Sequence, residues 1–508
     1  MIACGVGMAA LLRSGVPAHS QNYYFTEIAQ TVPAGTYGIT GFGQAPGINA
    51  HGDVAFVGVG ALPTKALNSV YIGDGISPAA VVMDNDTSIN HSSGIFPDFF
   101  DAGVSLNDAG IVAFAAPIDN TPANGQGVYK SAVGPLDTVA TIIDSFNPIW
   151  PVPVGFENDS PHLNNIGEVS LLALYGSNSS ILRGNGASFK TIAQTGAGVD
   201  PFSTLDYHSM NSAGTVAFRG YRASGTFGVY TGTGGTATTQ GPITAIVTSA
   251  TPGHSFASFW GTAINDAGDV AFVGDDLGGA TTGVYTWNHL TLALTTVVAG
   301  SGLEYIFGLG MNNHGDTAYL AERVAAPGKG TAGIYAGASF VADKVVELGD
   351  PLFGSTLSQL PGNFITYLAF NDYGQIAFWF QLADGREGIA RANRVDVTSQ
   401  LTTTLGAMVY HPASHKYTQK VQVKNLSKGS VQGPISLVLD SLSGGVLVGP
   451  APVLSTAALP PVSSYVNANP ASGWLAPGKS VTYNLVFTGA PGAVITYTPR
   501  LLAGPGPR

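Results

Sequence analysis

Ile264-Asn265-Asp266-Ala267-Gly268-Asp269-Val270-Ala271-Phe272 lies near the middle of the chain, and Ile48-Asn49-Ala50-His51-Gly52-Asp53-Val54-Ala55-Phe56 repeats it near the start. An apolar residue followed by Asn-x-x-Gly-x-Val-Ala-Phe, or a near relative, returns from Asn107, Asn164, Asn211, Asn312 and Asn371, seven copies in all. From 49 to 371 the mean interval is about 54 residues, the length of one four-stranded propeller blade with generous loops. Asn at the start of a tight turn can accept a hydrogen bond from the backbone two residues on. Gly at the fourth position can take the left-handed conformation that closes a type I turn with a bulge. The pairs Asn49/Gly52, Asn107/Gly110, Asn164/Gly167, Asn211/Gly214, Asn265/Gly268, Asn312/Gly315 and Asn371/Gly374 are therefore expected to be structural hairpin corners.

In the strand after each corner, Val54 and Phe56 point to one face and Ala55 to the other. A blade packs on neighbours through both faces, so both must be apolar, and a small residue lets the next blade approach. A third strand reads Gly127-Val128-Tyr129, Gly228-Val229-Tyr230, Gly283-Val284-Tyr285 or Gly333-Ile334-Tyr335. Fourth strands are expected at Ala79–Val82, Thr141–Ile143, Thr295–Val298 and Lys344–Leu348. The seventh unit lacks one, and Tyr24–Gln30 reads like the missing piece, so the N-terminal strand is expected to close the last blade. The fold class is thus all-β: a seven-bladed β-propeller over 21–393, followed by a β-sandwich over 394–508. Val169-Ser170-Leu171, Thr317-Ala318-Tyr319 and Ala390 depart from the pattern, and their blades are expected to pack less well.

The recurring Asn-x-x-Gly-x-x-Ala-Phe resembles the tandem NxxGxxAF repeat family of bacterial exported proteins, over roughly residues 22 to 393. That resemblance implies a secreted or cell-surface location more than an activity, and members of the family often end in a sorting or anchoring segment. Here the sequence stops at Gly504-Pro505-Gly506-Pro507-Arg508 without an apolar helix or a basic tail, so membrane anchoring is not expected. Composition agrees with export: charged residues are 10% against about a quarter in ordinary domains, and Gly occupies 68 positions. No apolar run approaches the ~20 residues of a spanning helix. Residues 1–20 read as a signal peptide, with Ile2–Leu12 as its apolar stretch and Ala18-His19-Ser20 as the cleavage site, although a basic leading region is missing. Cleavage there removes Cys4, the only cysteine, so stability rests on burial and closure rather than on disulfides.

Beyond Arg394 the charge changes sign. Residues 394–508 hold eight basic and two acidic residues, leaving 12 basic and 29 acidic in the first part, a net of −17. Alternating strands such as Tyr417–Val423, Ile435–Leu439 and Val481–Phe487 fit the sandwich. This segment resembles the immunoglobulin-like or fibronectin-III-like modules that end many bacterial surface proteins, Leu475-Ala476-Pro477-Gly478-Lys479-Ser480 before a strand being typical of them. Lys416, Lys420, Lys424 and Lys428 suit an anionic partner or, more simply, a solvated strand face; no aromatics interleave as a nucleic-acid groove requires. Gly473–Ser480 matches the P-loop pattern, yet an alternating strand follows where a phosphate cradle needs a helix, so nucleotide binding is not expected.

Catalytic motifs are sparse, and neither a catalytic residue nor a cofactor is assigned. His411 and His415 stand four apart beside Pro412, without the shared helical face a metal pair needs. Asp53, Asp269 and Asp316 follow corner glycines and read as a carboxylate ring or, more simply, as hydrogen-bonding turn residues. Asp84-Asn85-Asp86 and Asp275-Asp276 lack a calcium loop around them. Trp150, in a Pro-rich connection, and Trp260, beside a corner, are the candidate ligand contacts, since an exposed Trp is a platform for sugar rings. The expected function is a non-catalytic exported or cell-surface scaffold or adhesion protein with the propeller as interaction platform. A lectin-like glycan binder and a glycan-active enzyme with paired carboxylates are the alternatives. Expected partners are an extracellular protein or polysaccharide, with no nucleic acid and no transmembrane segment.

Overall fold

In the computed structural model the residues described are 22–31, 38–62, 65–77, 80–84, 103–118, 125–131, 136–141, 155–156, 161–175, 177–186, 188–251, 255–277, 281–300, 302–326, 329–362, 367–456, 459–506 and 508. Among them every regular element is a β-strand.

Each repeat yields its own small antiparallel sheet. The fourth and fifth show the plan most plainly. Phe202–Met210 pairs with Val216–Arg222, then Phe227–Gly232, then Ile243–Thr248; Phe256–Ile264, Val270–Asp276, Thr282–Trp287 and Leu294–Gly300 follow in the same order. The last sheet takes its outer strand from the other end of the chain. Tyr23–Gln30 pairs antiparallel with Glu387–Arg394, Tyr23 opposite Arg394 and Gln30 opposite Gly388, which is the pairing expected of the N-terminal strand.

The second strand of each repeat is the centre of packing because both of its faces meet neighbouring sheets. Val270, Ala271 and Phe272 are fully buried, as are Val54, Ala55 and Phe56. Ala217 of the fourth repeat shares a cluster with Phe259 and Phe272 of the fifth, so its small side chain is where the next sheet comes close. Phe272 stacks on Tyr285 of the third strand at 5.6 Å, and Phe218 on Tyr230 at 5.9 Å. The expected looseness of the irregular copies is not found in burial: Ser170, Ala318, Tyr319 and Ala390 are all fully buried. Tyr319 replaces Phe without exposing its hydroxyl, which donates to the Gly337 carbonyl at 2.9 Å. The fourth strand of the second repeat is described over Leu136–Thr141, which includes Thr141 of the expected stretch, and Ile142–Ile143 fall outside the described residues.

After these come a short pair, Val431–Gln432 with Trp474–Leu475, and two larger sheets. One orders Leu401–Leu405, Lys416–Asn425, Ser480–Thr488 and Val446–Gly449; the other orders Leu454–Ser455, Ser464–Ala468, Ile435–Ser443 and Thr496–Leu502. Their inward residues form one core, with Val421, Val423, Leu485 and Phe487 from the first against Leu437, Leu439, Val466 and Leu501 from the second. Along Lys416–Asn425 exposure alternates, placing Lys416, Lys420 and Lys424 on the solvated face. This module is seated on the closing strand: Tyr24 is buried with Val395, Val438, Leu459, Tyr465 and Leu502.

Candidate functional site

All seven corners share one geometry. In the fifth, the Gly268 N–H donates to the Asn265 carbonyl at 3.0 Å, and Asn265 Oδ1 accepts the Asp269 N–H at 2.8 Å. Gly110, Gly315 and Gly374 close their turns in the same way, donating to the carbonyls of Asn107, Asn312 and Asn371 at 3.1, 3.0 and 3.0 Å. Gly268 sits at φ +97°, and the other corner glycines lie between +71° at Gly374 and +84° at Gly167, a region that favours glycine. At Gly110 and Gly315 a Cβ would meet open space, so backbone conformation alone calls for glycine there, whereas at Gly374 it would also strike the Arg394 side chain. The Asn side chains are buried despite being polar, because their amide protons are used as well. The Nδ2 group of Asn49 donates to the carbonyl of Asn107, Asn107 to Asn164, Asn211 to Asn265, and Asn371 back to Asn49, at 2.9 to 3.3 Å. Third-strand cations add a second set of ties to the following corner: Lys130 to Gly167, Arg183 to Gly214, and Arg391 to Gly52.

The residue after each corner Asn forms an outer polar circle. Asp108 accepts the Ala50 N–H at 2.9 Å, Asp266 the Ser212 N–H at 2.7 Å, and Asp372 the Asn313 N–H at 2.8 Å. A turn of the C-terminal module lies over this circle. Lys428 Nζ donates to Asp108 Oδ2 at 2.6 Å, the Lys428 backbone N–H donates to the Tyr373 hydroxyl at 3.1 Å, and Gly429 abuts the His51 carbonyl. Burial would raise the Asp108 carboxyl, but the Lys428 hydrogen bond, the Ala50 N–H and nearby positive charge together hold it below its ordinary value.

Inside the corners an apolar layer, Ile48, Leu106, Met210, Ile264, Met311 and Phe370, divides the axial space. On its corner side is a cavity of about 220 Å³ and on the other a chamber of about 150 Å³ that His162, Ser105, Ser209 and Thr262 help to line. Six of the seven corner asparagines, all but Asn107, line the first of these, but Gly110, Gly315, Gly374 and the other four corner glycines line neither. In those six corners the two halves of the pair part company: the Asn lines the corner-side cavity, while the Gly shapes the turn and lines neither of the two. His162 and His208 meet edge to face at 5.0 Å. Burial is the largest cause that lowers both, to about 3 and about 4, so these imidazoles are neutral at pH 7.

Still further from the corners, an aromatic and ionic cluster spans the first strands of the fourth and fifth repeats. Each strand is bulged there, between Asp206 and His208 and between Trp260 and Thr262; Tyr207 is the extra residue of the first bulge, and Trp260, opposite Val273, adjoins Gly261, the extra residue of the second. Trp260 is 42% exposed, and its ring stands 6.2 Å from Tyr207. Arg219 pairs with Asp206 and donates to the Phe259 carbonyl at 2.7 Å, while its guanidinium carbon lies 4.4 Å from the Tyr207 centroid and 5.2 Å from that of Trp260.

Of the two tryptophans singled out from sequence, Trp260 belongs to this cluster; it lies within the strand Phe256–Ile264 rather than in a corner loop. Trp150 falls outside the described residues, as do Cys4, residues 1–20 and the Asn85-Asp86 pair. Asp53, Asp269 and Asp316 accept from their own corner Asn at 3.1 to 3.4 Å, which is the turn-residue reading. Asp275 is occupied by Trp260, Ser258 and Thr282. His411 and His415 bond Thr418 and Tyr410, and no group of three or more His, Cys, Asp or Glu side chains suited to a metal ion occurs among the described residues. The strand Ser480–Thr488 follows the P-loop-like phrase, as expected. Lys428 is the exception among the four lysines, being exposed but bonded to Asp108. Arg219 and the His162–His208 pair had no signal in sequence, since their repeat positions are filled by unrelated residues elsewhere, and Tyr207 is matched only by Tyr367, four residues before the seventh corner. No helix of the described residues is long and apolar enough to cross a membrane.

A repeat protein of small antiparallel sheets, tied corner to corner by asparagine, is the class these features define. Residues 26–398 match a family of unknown function, DUF7453, and the chain belongs to that family. No curated protein matches it. Among solved structures it is similar to the β-propeller domain of the Trilobed protease from Pyrococcus furiosus, with 9% identity and a TM-score of 0.40, covering 70% of this chain and 97% of that one. Oligogalacturonate lyase from Vibrio parahaemolyticus gives 12% identity and a TM-score of 0.44, over 73% and 97% of the two chains. The WD40 domain of Toxoplasma gondii coronin gives 9% and 0.36, over 74% and 88%.

Proposed function

We propose that this chain is a non-catalytic, exported or cell-surface scaffold or adhesion protein. In this reading residues 21–393 are a seven-bladed β-propeller serving as interaction platform, and residues 394–508 are an immunoglobulin/fibronectin-III-like β-sandwich. The order of the sheets supports the ring, as does the bonding of the last corner to the first through Asn371 and Asn49. The observation that carries the functional reading is the state of the corner-side carboxylates. Asp53, Asp269 and Asp316 serve their own turns, Asp108, Asp266 and Asp372 serve the neighbouring turn, and the module lies over them through Lys428. Carboxylates committed to the fold's own N–H groups are girdle, not acid and base, so the partner belongs at the opposite end.

Cell fractionation with an antibody to the full chain, together with binding and turnover assays of the purified protein on polysaccharide and peptide panels, tests this. Surface or culture-fluid recovery with saturable binding and no turnover is expected. Cytoplasmic recovery, or turnover abolished by replacing Asp108, Asp266 or Asp372 with Asn, overturns it.

A further inference from the structure

We propose that Trp260, Tyr207 and the polar groups at their rims form a binding site for a neutral pyranose-containing saccharide. The proposal rests on the platform reading above and names the ligand class for the end opposite the corners.

An exposed tryptophan means little when it is loose, but this one is held. Its indole Nε1 donates to Asp275 Oδ2 at 2.8 Å and to Ser258 Oγ at 3.0 Å. Asp275 is itself positioned by the Thr282 hydroxyl at 2.8 Å and by Ser258. The ring plane is therefore set before any ligand arrives, which lowers the ordering cost of binding. Tyr207 is held at φ +38°, an unfavourable backbone for an aromatic residue, and such strain collects at ligand sites.

The surroundings select the ligand. A pyranose ring presents a face of C–H groups and a rim of hydroxyls, and it needs an aromatic plane bordered by hydrogen-bonding groups. Trp260 supplies the plane, with Asp275 and Ser258 at its rim. A cationic ligand is disfavoured because Arg219 already lies against both aromatic rings. An anionic one gains little from Arg219, which is 8% exposed and paired with Asp206. The net charge of −17 over residues 1–393 repels a uronic-acid polymer or a nucleic acid as well.

Intrinsic tryptophan fluorescence and calorimetric titration of the full chain with neutral gluco-, manno-, galacto- and xylo-oligosaccharides, and with a uronic-acid oligosaccharide, test the assignment. At least one neutral oligosaccharide is expected to bind saturably, and W260A and D275N each to weaken it by about tenfold or more. W260F keeps an aromatic plane and is expected to lose less than W260A, which separates loss of the site from loss of the fold. No neutral saccharide binding, binding indifferent to W260A and D275N, or tighter binding of the uronic-acid oligomer overturns the proposal. A null result here leaves surface recovery and absence of turnover intact, so it is distinguishable from failure of the scaffold reading.

Discussion

The Asn371 side chain, in the last repeat, donates through Nδ2 to the main-chain carbonyl of Asn49, in the first, at 2.9 Å across 322 residues of sequence. The same side chain accepts the N–H groups of Tyr373 and Gln375 at 3.1 and 3.0 Å, so one buried amide both shapes a hairpin and joins the ends of the repeat array. N371A strands these partners and is expected to cost roughly 1–3 kcal/mol in urea denaturation. N371D keeps the acceptors and removes the donor to Asn49, and is expected to fall between wild type and N371A. Equal stability of N371A and wild type would show that the tie is incidental.

Gly429 sits where an added Cβ would meet the His51 carbonyl. G429A is expected to lift the 427–429 turn off the first corner, raising hydrogen exchange at Ala50–Gly52 and breaking the Lys428–Asp108 bond, with a loss of about 1–3 kcal/mol in stability. Unchanged exchange at that corner would count against the docking described.

Because the Asp108 carboxyl is held below its ordinary value, its contribution is complete above about pH 4 and lost as the pH falls through the folded value. Chemical denaturation across pH 2 to 6 is therefore expected to show a steeper acid limb in wild type than in K428M. High salt is expected to narrow that difference, since the pair is partly solvated.

His162 and His208 respond in a different window. Their folded values of about 3 and about 4 lie below the ordinary 6.5, so on acidification the unfolded chain takes up protons that the folded chamber refuses. Stability is expected to decline from about pH 6.5 toward 4. The double variant H162Q/H208Q is expected to lose that part of the slope, and an unchanged slope would place the imidazoles outside the titration.

The corners were legible in sequence because their chemistry is local. Asn49 and Gly52 bond each other and the next few residues, so spacing alone exposes them; the same holds for Gly110, Gly315 and Gly374 with their own asparagines. Spacing did not separate the two members of each pair, because which of them faces the axis depends on how the sheets are arranged around it. Strand periodicity showed the burial of Val270, Ala271 and Phe272, again through local pattern, and terminal compatibility showed the pairing of Tyr23–Gln30 with Glu387–Arg394. Tyr319 and Ala390 depart from the repeat pattern and are nonetheless fully buried, because burial depends on whether neighbours fill the space and not on residue identity at one position. Lys428 read as one more strand-face lysine, since nothing nearby in the chain mentions Asp108, 320 residues away.

What the sequence determined by itself is the repeat, the turn chemistry at each corner and the change of composition at residue 394, all of which depend on residues within a few positions of one another. The tertiary structure alone decided which carbonyl each Asn amide reaches, that Lys428 covers the corner end, and that Tyr207, Arg219, Trp260 and Asp275 form one cluster. Those contacts join separate hairpins through space, and their distances follow from how whole sheets pack rather than from any order of residues along the chain.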